Sequence, residues 1–141
     1  MRPLYLSSAV REGLGPCLRP GGTVLTRRII DLLQPDDACT ILDAGCGSGA
    51  SMALIKQHGF ATVFGIDLDC GLLSEARKTC PTVARGDLAR LPLAGRKWDI
   101  ILCECTWNLT EKEQTIKEFA RVLKPGGMLA MTDIYTRGGP A

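Results

Sequence analysis

No run of like charge occurs in these 141 residues: 17 Lys and Arg are interleaved with 15 Asp and Glu, for a formal net charge of +2. Nucleic acids are gripped by concentrated positive charge and membrane surfaces by basic amphipathic faces, so neither partner is expected. A long apolar run is missing too. Met1–Ser7 holds no continuous hydrophobic stretch of signal-peptide length, and nothing elsewhere approaches a bilayer span, so a cytoplasmic protein is the expectation. The seven cysteines (Cys17, Cys39, Cys46, Cys70, Cys80, Cys103, Cys105) are odd in number and contain no C-x-x-C pair. They fit neither a disulfide framework nor a zinc cage, and read as reduced thiols that mostly fill core gaps. Internal repeats and low-complexity tracts are also absent. What is present is a 45% hydrophobic share, enough for one core and one domain.

Residues 1–22 carry Gly13, Gly15, Pro16, Pro20, Gly21 and Gly22 and suggest a loose entry segment or lid. From Thr23, the apolar residues Leu25, Ile29, Ile30, Leu32 and Leu33 recur at helical intervals until Pro35. Residues 40–44 predict a strand that runs into Gly45-Cys46-Gly47-Ser48-Gly49, followed by a helix with Met52, Leu54 and Ile55 that ends at Gly59. A second strand over 61–66 leads past Asp67-Leu68-Asp69 to a helix with Leu72, Leu73 and Ala76. Residues 82–85 predict a short third strand, and the apolar stretch 98–103 a fourth, buried on both faces. Thr110 and Glu113 have capping-box spacing ahead of a helix whose predicted buried face is Ile116, Phe119, Ala120 and Leu123. Residues 128–132 then predict strand five. Strands that alternate with helices imply parallel pairing through crossovers, hence a Rossmann-like, doubly wound α/β sheet of about five strands with helices on both faces. The expected division is an entry segment over 1–22, a ligand-binding domain over 23–135 and a tail over 136–141.

A glycine turn after the first strand lets a ligand approach the backbone and aims unpaired N–H groups of the next helix at negative charge. Gly45-x-Gly47-x-x-Ala50, with Asp67 at the offset where a carboxylate would hold a ribose, also satisfies the dinucleotide fingerprint. An NAD-dependent oxidoreductase domain is therefore one reading. Asp43 argues for another. A carboxylate just ahead of the turn repels a pyrophosphate but attracts a cationic, phosphate-free nucleoside.

At this point the sequence resembles the class I S-adenosylmethionine-dependent methyltransferases. Ile41-Leu42-Asp43-Ala44-Gly45-Cys46-Gly47-Ser48-Gly49 is similar to their first motif, Gly65-Ile66-Asp67-Leu68 to their second, Gly86-Asp87-Leu88-x-x-Leu91-Pro92 to their adenine-reading segment, and residues 121–127 to the turn before strand five. The resemblance implies S-adenosylmethionine as cofactor and S-adenosylhomocysteine as product. It implies donor binding by Asp43, Gly45, Cys46, Gly47, Gly49, Asp67, Leu68, Asp87, Leu88 and Cys103, with Asp67 on the ribose hydroxyls and Asp87 on the adenine amine. Asp69 reads instead as the cap of the helix that follows it.

Methyl transfer from a sulfonium needs alignment more than it needs a base, and no catalytic residue or metal is assigned. Acceptor-facing candidates follow strand four: Glu104, which is either a base or a solvated loop carboxylate; Cys105; and Trp107, which either stacks on the acceptor or simply packs. Cys103 and Cys105 loosely resemble the thiols of arsenite methyltransferases. His58, the only histidine, sits at a helix end and is given no role. The expected activity is methylation of a small molecule; a non-catalytic donor-binding protein or truncated core is the rival. Family members continue past strand five, so its bare edge implies either a truncated core or a homodimer or other partner that covers it.

Overall fold

The computed structural model describes residues 6–60, 62–135 and 137–138. Its elements are α1 (Ser8–Leu14), a 3-10 turn (Gly15–Cys17), α2 (Val24–Leu33), β1 (Thr40–Ala44), α3 (Ala50–Gln57), β2 (Thr62–Asp67), α4 (Cys70–Ala76), β3 (Val83–Arg85), β4 (Trp98–Glu104), a second 3-10 turn (Trp107–Leu109), α5 (Lys112–Val122) and β5 (Leu123–Thr132). Ala61, the expected start of strand two, lies outside the described residues, as do Thr136 and most of the expected tail.

All strand pairs are parallel, in the order β3-β2-β1-β4-β5. Alternating side chains divide the core into two layers. Ile41, Val63, Ile100 and Leu102 pack with Ile30 of α2, Met52, Leu54 and Ile55 of α3, and Leu73 and Ala76 of α4. Leu42, Ala44, Ile66, Ile101 and Cys103 point the other way and pack with Phe119 and Val122 of α5. That is the doubly wound arrangement the alternating pattern implies, with β1 and β4 as the neighbours where the strand order reverses. No helix among the described residues is long and apolar enough to cross a membrane.

At the opposite end of the sheet from the glycine turn, Asp99 ties three strands together. Its carboxylate accepts from the Thr40 N–H at 2.8 Å and hydroxyl at 2.7 Å, and from Lys124 Nζ at 2.8 Å. These donors, Lys124 first, hold the Asp99 carboxyl down at about 2.

Several expectations are corrected. The capping box does not form: α5 starts at Lys112 with Glu111 at its N-cap and no side-chain cap bond, so Thr110 stands one residue ahead of the cap, where its Oγ1 donates to the Trp107 carbonyl at 2.8 Å. The buried face of α5 is Thr115, Phe119 and Val122, four- and three-residue steps along one side; of the face expected from the sequence only Phe119 is on it, with Ile116 40% exposed, Ala120 exposed and Leu123 already in β5. Strand five begins at Leu123 and absorbs Pro125-Gly126-Gly127 as a register break between Trp98 and Ile100 of its neighbour. The entry segment is not loose throughout, since Ser7 caps a helix, α1. Among the described residues, β5 is an edge strand, with Met128 and Met131 partly exposed on it.

Candidate functional site

The chain leaves β1 through Gly45, Gly47 and Gly49 at φ of 84°, 54° and 87°, a left-handed region that only glycine enters without strain. At Gly45 there is a second reason. A Cβ there would overlap the side chain of Thr106, because the ends of β1 and β4 approach closely. Gly45→Ala is therefore expected to destabilise the fold by about 2 kcal/mol or more, read as a lower urea midpoint with an unchanged slope.

The turn satisfies its own donors. Gly45 and Cys46 N–H both donate to the Ile66 carbonyl (2.8 and 3.0 Å), Gly49 N–H to the Cys46 carbonyl (2.9 Å) and Gly47 N–H to Asp67 Oδ2 (2.9 Å). These four N–H groups are taken; the first-turn N–H groups of α3, which the sequence reading aims at negative charge, are a separate set. A pyrophosphate laid against the turn would have to compete with bonds already made.

Beyond the carboxyl ends of β1, β2 and β4 lies a cleft of about 750 Å³, at the strand-order reversal where open α/β sheets bind ligands. Of the residues singled out in the sequence, Gly45, Cys46, Gly47, Asp67, Leu68, Asp87, Leu88, Glu104 and Cys105 line it. Asp43 is buried on β1 beneath the turn, and Gly49 lies behind it, at the start of α3 against Ala76. Cys103 is fully buried in the layer that contains Phe119, where desolvation pushes its thiol up to about 12. Trp107 packs on that same layer, partly buried. Cys103 and Cys105 thus occupy different surroundings, and no group of three His, Cys, Asp or Glu side chains suited to a metal occurs among the described residues.

Asp67 is held firmly. Oδ1 accepts from Asp69 N–H and Oδ2 from Gly47 N–H, both at 2.9 Å, which leaves each oxygen with further accepting capacity at the cleft wall. Asp69 caps α4 through Leu72 N–H at 2.8 Å. Asp87 Oδ1 accepts from Ala89 N–H at 2.9 Å, which fixes the loop that carries Leu88.

Two features of the floor were not legible from spacing. Asp43 is 3% exposed, and its Oδ2 has no hydrogen-bond partner among the described residues. Desolvation first, then the charges of Glu104 and Asp67 against the relief from Arg19, push its carboxyl up to about 8. Glu104 is neither solvated nor a free base. It is 6% exposed, accepts from Ser51 Oγ at 2.7 Å and Thr26 Oγ1 at 3.0 Å, and pairs with Arg19 Nη2 at 3.2 Å. Arg19 comes from the glycine- and proline-rich entry segment, where composition gives no sign of a buried cation. A carboxylate directly after the apolar run 100–103 was the one available signal.

The entry segment roofs the cleft. Val10, Leu14 and residues 16–20 line it. The Arg11 guanidinium meets Glu75 of α4 at 2.6 Å, and Ser48 Oγ donates to the Pro16 carbonyl at 2.7 Å.

Comparison with known proteins agrees with this geometry. Residues 42–131 match a family model described as a methyltransferase domain. Methyltransferase GfsG of Streptomyces halstedii is 31% identical over 130 residues, 86% of this chain and 47% of that protein. The malonyl-acyl-carrier-protein O-methyltransferase of Dechloromonas aromatica is 35% identical over 134 residues, 92% of this chain and 49% of that protein. An S-adenosylmethionine-dependent methyltransferase structure from Mesorhizobium loti superposes with a TM-score of 0.66 at 26% identity, covering 74% of this chain and 51% of that one. The chain spans about half the length of these curated relatives. With a glycine turn that turns its donors inward, an acidic residue ending the second strand and a family match over most of the sheet, the chain belongs to the class I S-adenosylmethionine-dependent methyltransferases.

Proposed function

We propose that the cleft binds S-adenosylmethionine and that the protein transfers its methyl group to a small molecule. The observation that carries this reading is the pairing of an inward-satisfied glycine turn with an acidic wall: it suits a nucleoside without phosphates that carries positive charge. Asp67 would accept the ribose hydroxyls with the lone pairs its backbone partners leave free. Asp87 and Leu88 would meet the adenine, and the Gly45–Gly47 turn would lie against the nucleoside. Bound there, the donor supplies a methyl group on a sulfonium, already activated for displacement. The chain's own part is to orient the two reactants and exclude water, which the roof over residues 10–20 supports. Cys105, Thr106, Asn108, Leu109 and Ile134 line the cleft beyond β4 and β5 and are the acceptor-facing set.

Titration calorimetry with S-adenosylhomocysteine, S-adenosylmethionine and NAD tests the reading. Micromolar binding of the first two without NAD is expected. Binding of NAD with no response to the sulfonium pair overturns it in favour of an oxidoreductase. Tight donor binding without methylation of any acceptor screened would retain the site but identify a binding protein.

A further inference from the structure

Charge along the cleft is one-sided. Among the described residues that line it, Asp67, Asp87, Glu104 and Glu111 are acidic and Arg19 alone is basic. The Arg19 guanidinium is already committed: Nη2 donates to Thr26 Oγ1 at 2.6 Å and Ser51 Oγ at 2.9 Å and pairs with Glu104 at 3.2 Å. Asp133 adds a carboxylate behind the acceptor-facing wall, where its oxygens accept from Asn108 N–H and Ile134 N–H, both at 2.8 Å. That wall is otherwise apolar. Leu109 and Ile134 stand 64% and 57% exposed on it, and Val10 and Leu14 of α1 line the same cleft. Large apolar side chains left exposed together at the mouth of a cleft mark a binding surface.

Each class of nucleophile makes a different demand on such a place. A carboxylate needs a cation beside it and would meet other carboxylates instead. An alcohol must give up its proton to a base as it attacks. Thr106 Oγ1 donates to the Glu104 carbonyl at 3.1 Å, and desolvation pushes the Cys105 thiol up, away from its basic form. Glu104 is held by Arg19, and Glu111 stands with Asp87 and Ala89 at an adjoining hollow, the end assigned above to the adenine. An uncharged nitrogen needs neither counter-ion nor base, because its lone pair is free to attack as it stands.

Resting on the donor reading above, we propose that the acceptor is an uncharged nitrogen base on an apolar body, a tertiary or heteroaromatic amine. The nitrogen lone pair forms the new N–CH3 bond as the S–CH3 bond breaks, and the pair of the broken bond stays on sulfur. Positive charge passes from sulfur to nitrogen, and no proton moves. The cleft thus holds one cation before and after the transfer, and its carboxylates stabilise both. Methylation of an anion would cancel that charge and leave the acidic walls facing neutral products.

The test uses the full chain saturated with S-adenosylhomocysteine and two probes of similar shape: N-methylisoquinolinium, which stands for a methylated product, and 2-naphthoate, its anionic counterpart. Calorimetry is expected to show the cation bound about tenfold or more tighter than the anion, with the gap narrowing as salt is raised. Ile134→Lys puts a cation on an exposed position of the acceptor end and should narrow the gap by about threefold. With S-adenosylmethionine as donor, mass spectrometry should find isoquinoline N-methylated and no methyl ester of 2-naphthoate.

Equal or tighter binding of 2-naphthoate, formation of its ester, isoquinoline recovered unmethylated, or binding of neither probe overturns the proposal and leaves the donor reading intact. A gap that Ile134→Lys does not change overturns it likewise. A chain that takes up no S-adenosylhomocysteine sinks the donor reading and this inference with it.

Discussion

Asp67→Ala is expected to weaken S-adenosylhomocysteine by about 2 kcal/mol or more, roughly thirtyfold in Kd. The size follows from the local geometry. Asp67 is a charged acceptor whose two oxygens are each fixed by one backbone N–H, so it meets a ribose diol already oriented. Alanine removes the acceptor and also frees the Gly47 N–H, loosening the turn beneath the nucleoside. Asp69→Ala is the control. It removes the cap of α4 and should lower stability by about 1 kcal/mol with little change in affinity. Calorimetry gives the affinities and thermal melts the stabilities. If Asp67→Ala bound as tightly as the parent, the ribose would lie elsewhere.

Asp43→Asn should raise stability and lower donor affinity together. In the folded protein the carboxyl titrates at about 8, against an ordinary value of 3.8. Between those values the folded chain holds a proton that the unfolded chain has released. Stability contributed at this site is therefore intact below about pH 4, declines as pH rises, and is fully lost above about pH 8. Asparagine cannot ionise, so its advantage over the parent should grow across that window to on the order of a few kcal/mol at pH 8. Thermal melts at pH 5 and pH 8 measure the difference. The donor works the other way. A cation beside Asp43 favours the charged form, so parent affinity should rise between pH 6 and 8, by up to about tenfold per pH unit, with a proton released on binding. The asparagine variant should show a flat profile. A parent profile that is itself flat would detach Asp43 from the donor.

The sequence located most of the fold because the signals were local. Residues 40–44, an apolar strand running into glycines, returned as β1 with the bounds expected of it, and Asp69 caps α4 where the spacing put it. The errors lie where a local signal met a tertiary competitor. Thr110 had the right spacing to cap α5, but the helix begins only at Lys112 with Glu111 at its N-cap, so the hydroxyl stands one residue too early and donates back to the Trp107 carbonyl of the preceding turn. The Pro125-Gly126-Gly127 segment read as a reversal, yet pairing with β4 drew it into the edge of the sheet.

The candidate site divides in the same way. Gly45, Gly47, Asp67 and Asp87 stand beside strand ends, and residue type with position along a strand is enough to find them. Arg19 and Glu104 are invisible to any spacing rule, because the chain between them builds four of the five strands before bringing them within 3.2 Å. Patterns of apolar residues and turn formers fixed the order of strands and helices, since each depends on neighbours within a few residues. Only the folded sheet decided which charges are buried together, which N–H groups of the turn are already taken, and that the entry segment lies across the cleft. Those outcomes depend on distance and desolvation between segments that the linear order keeps apart.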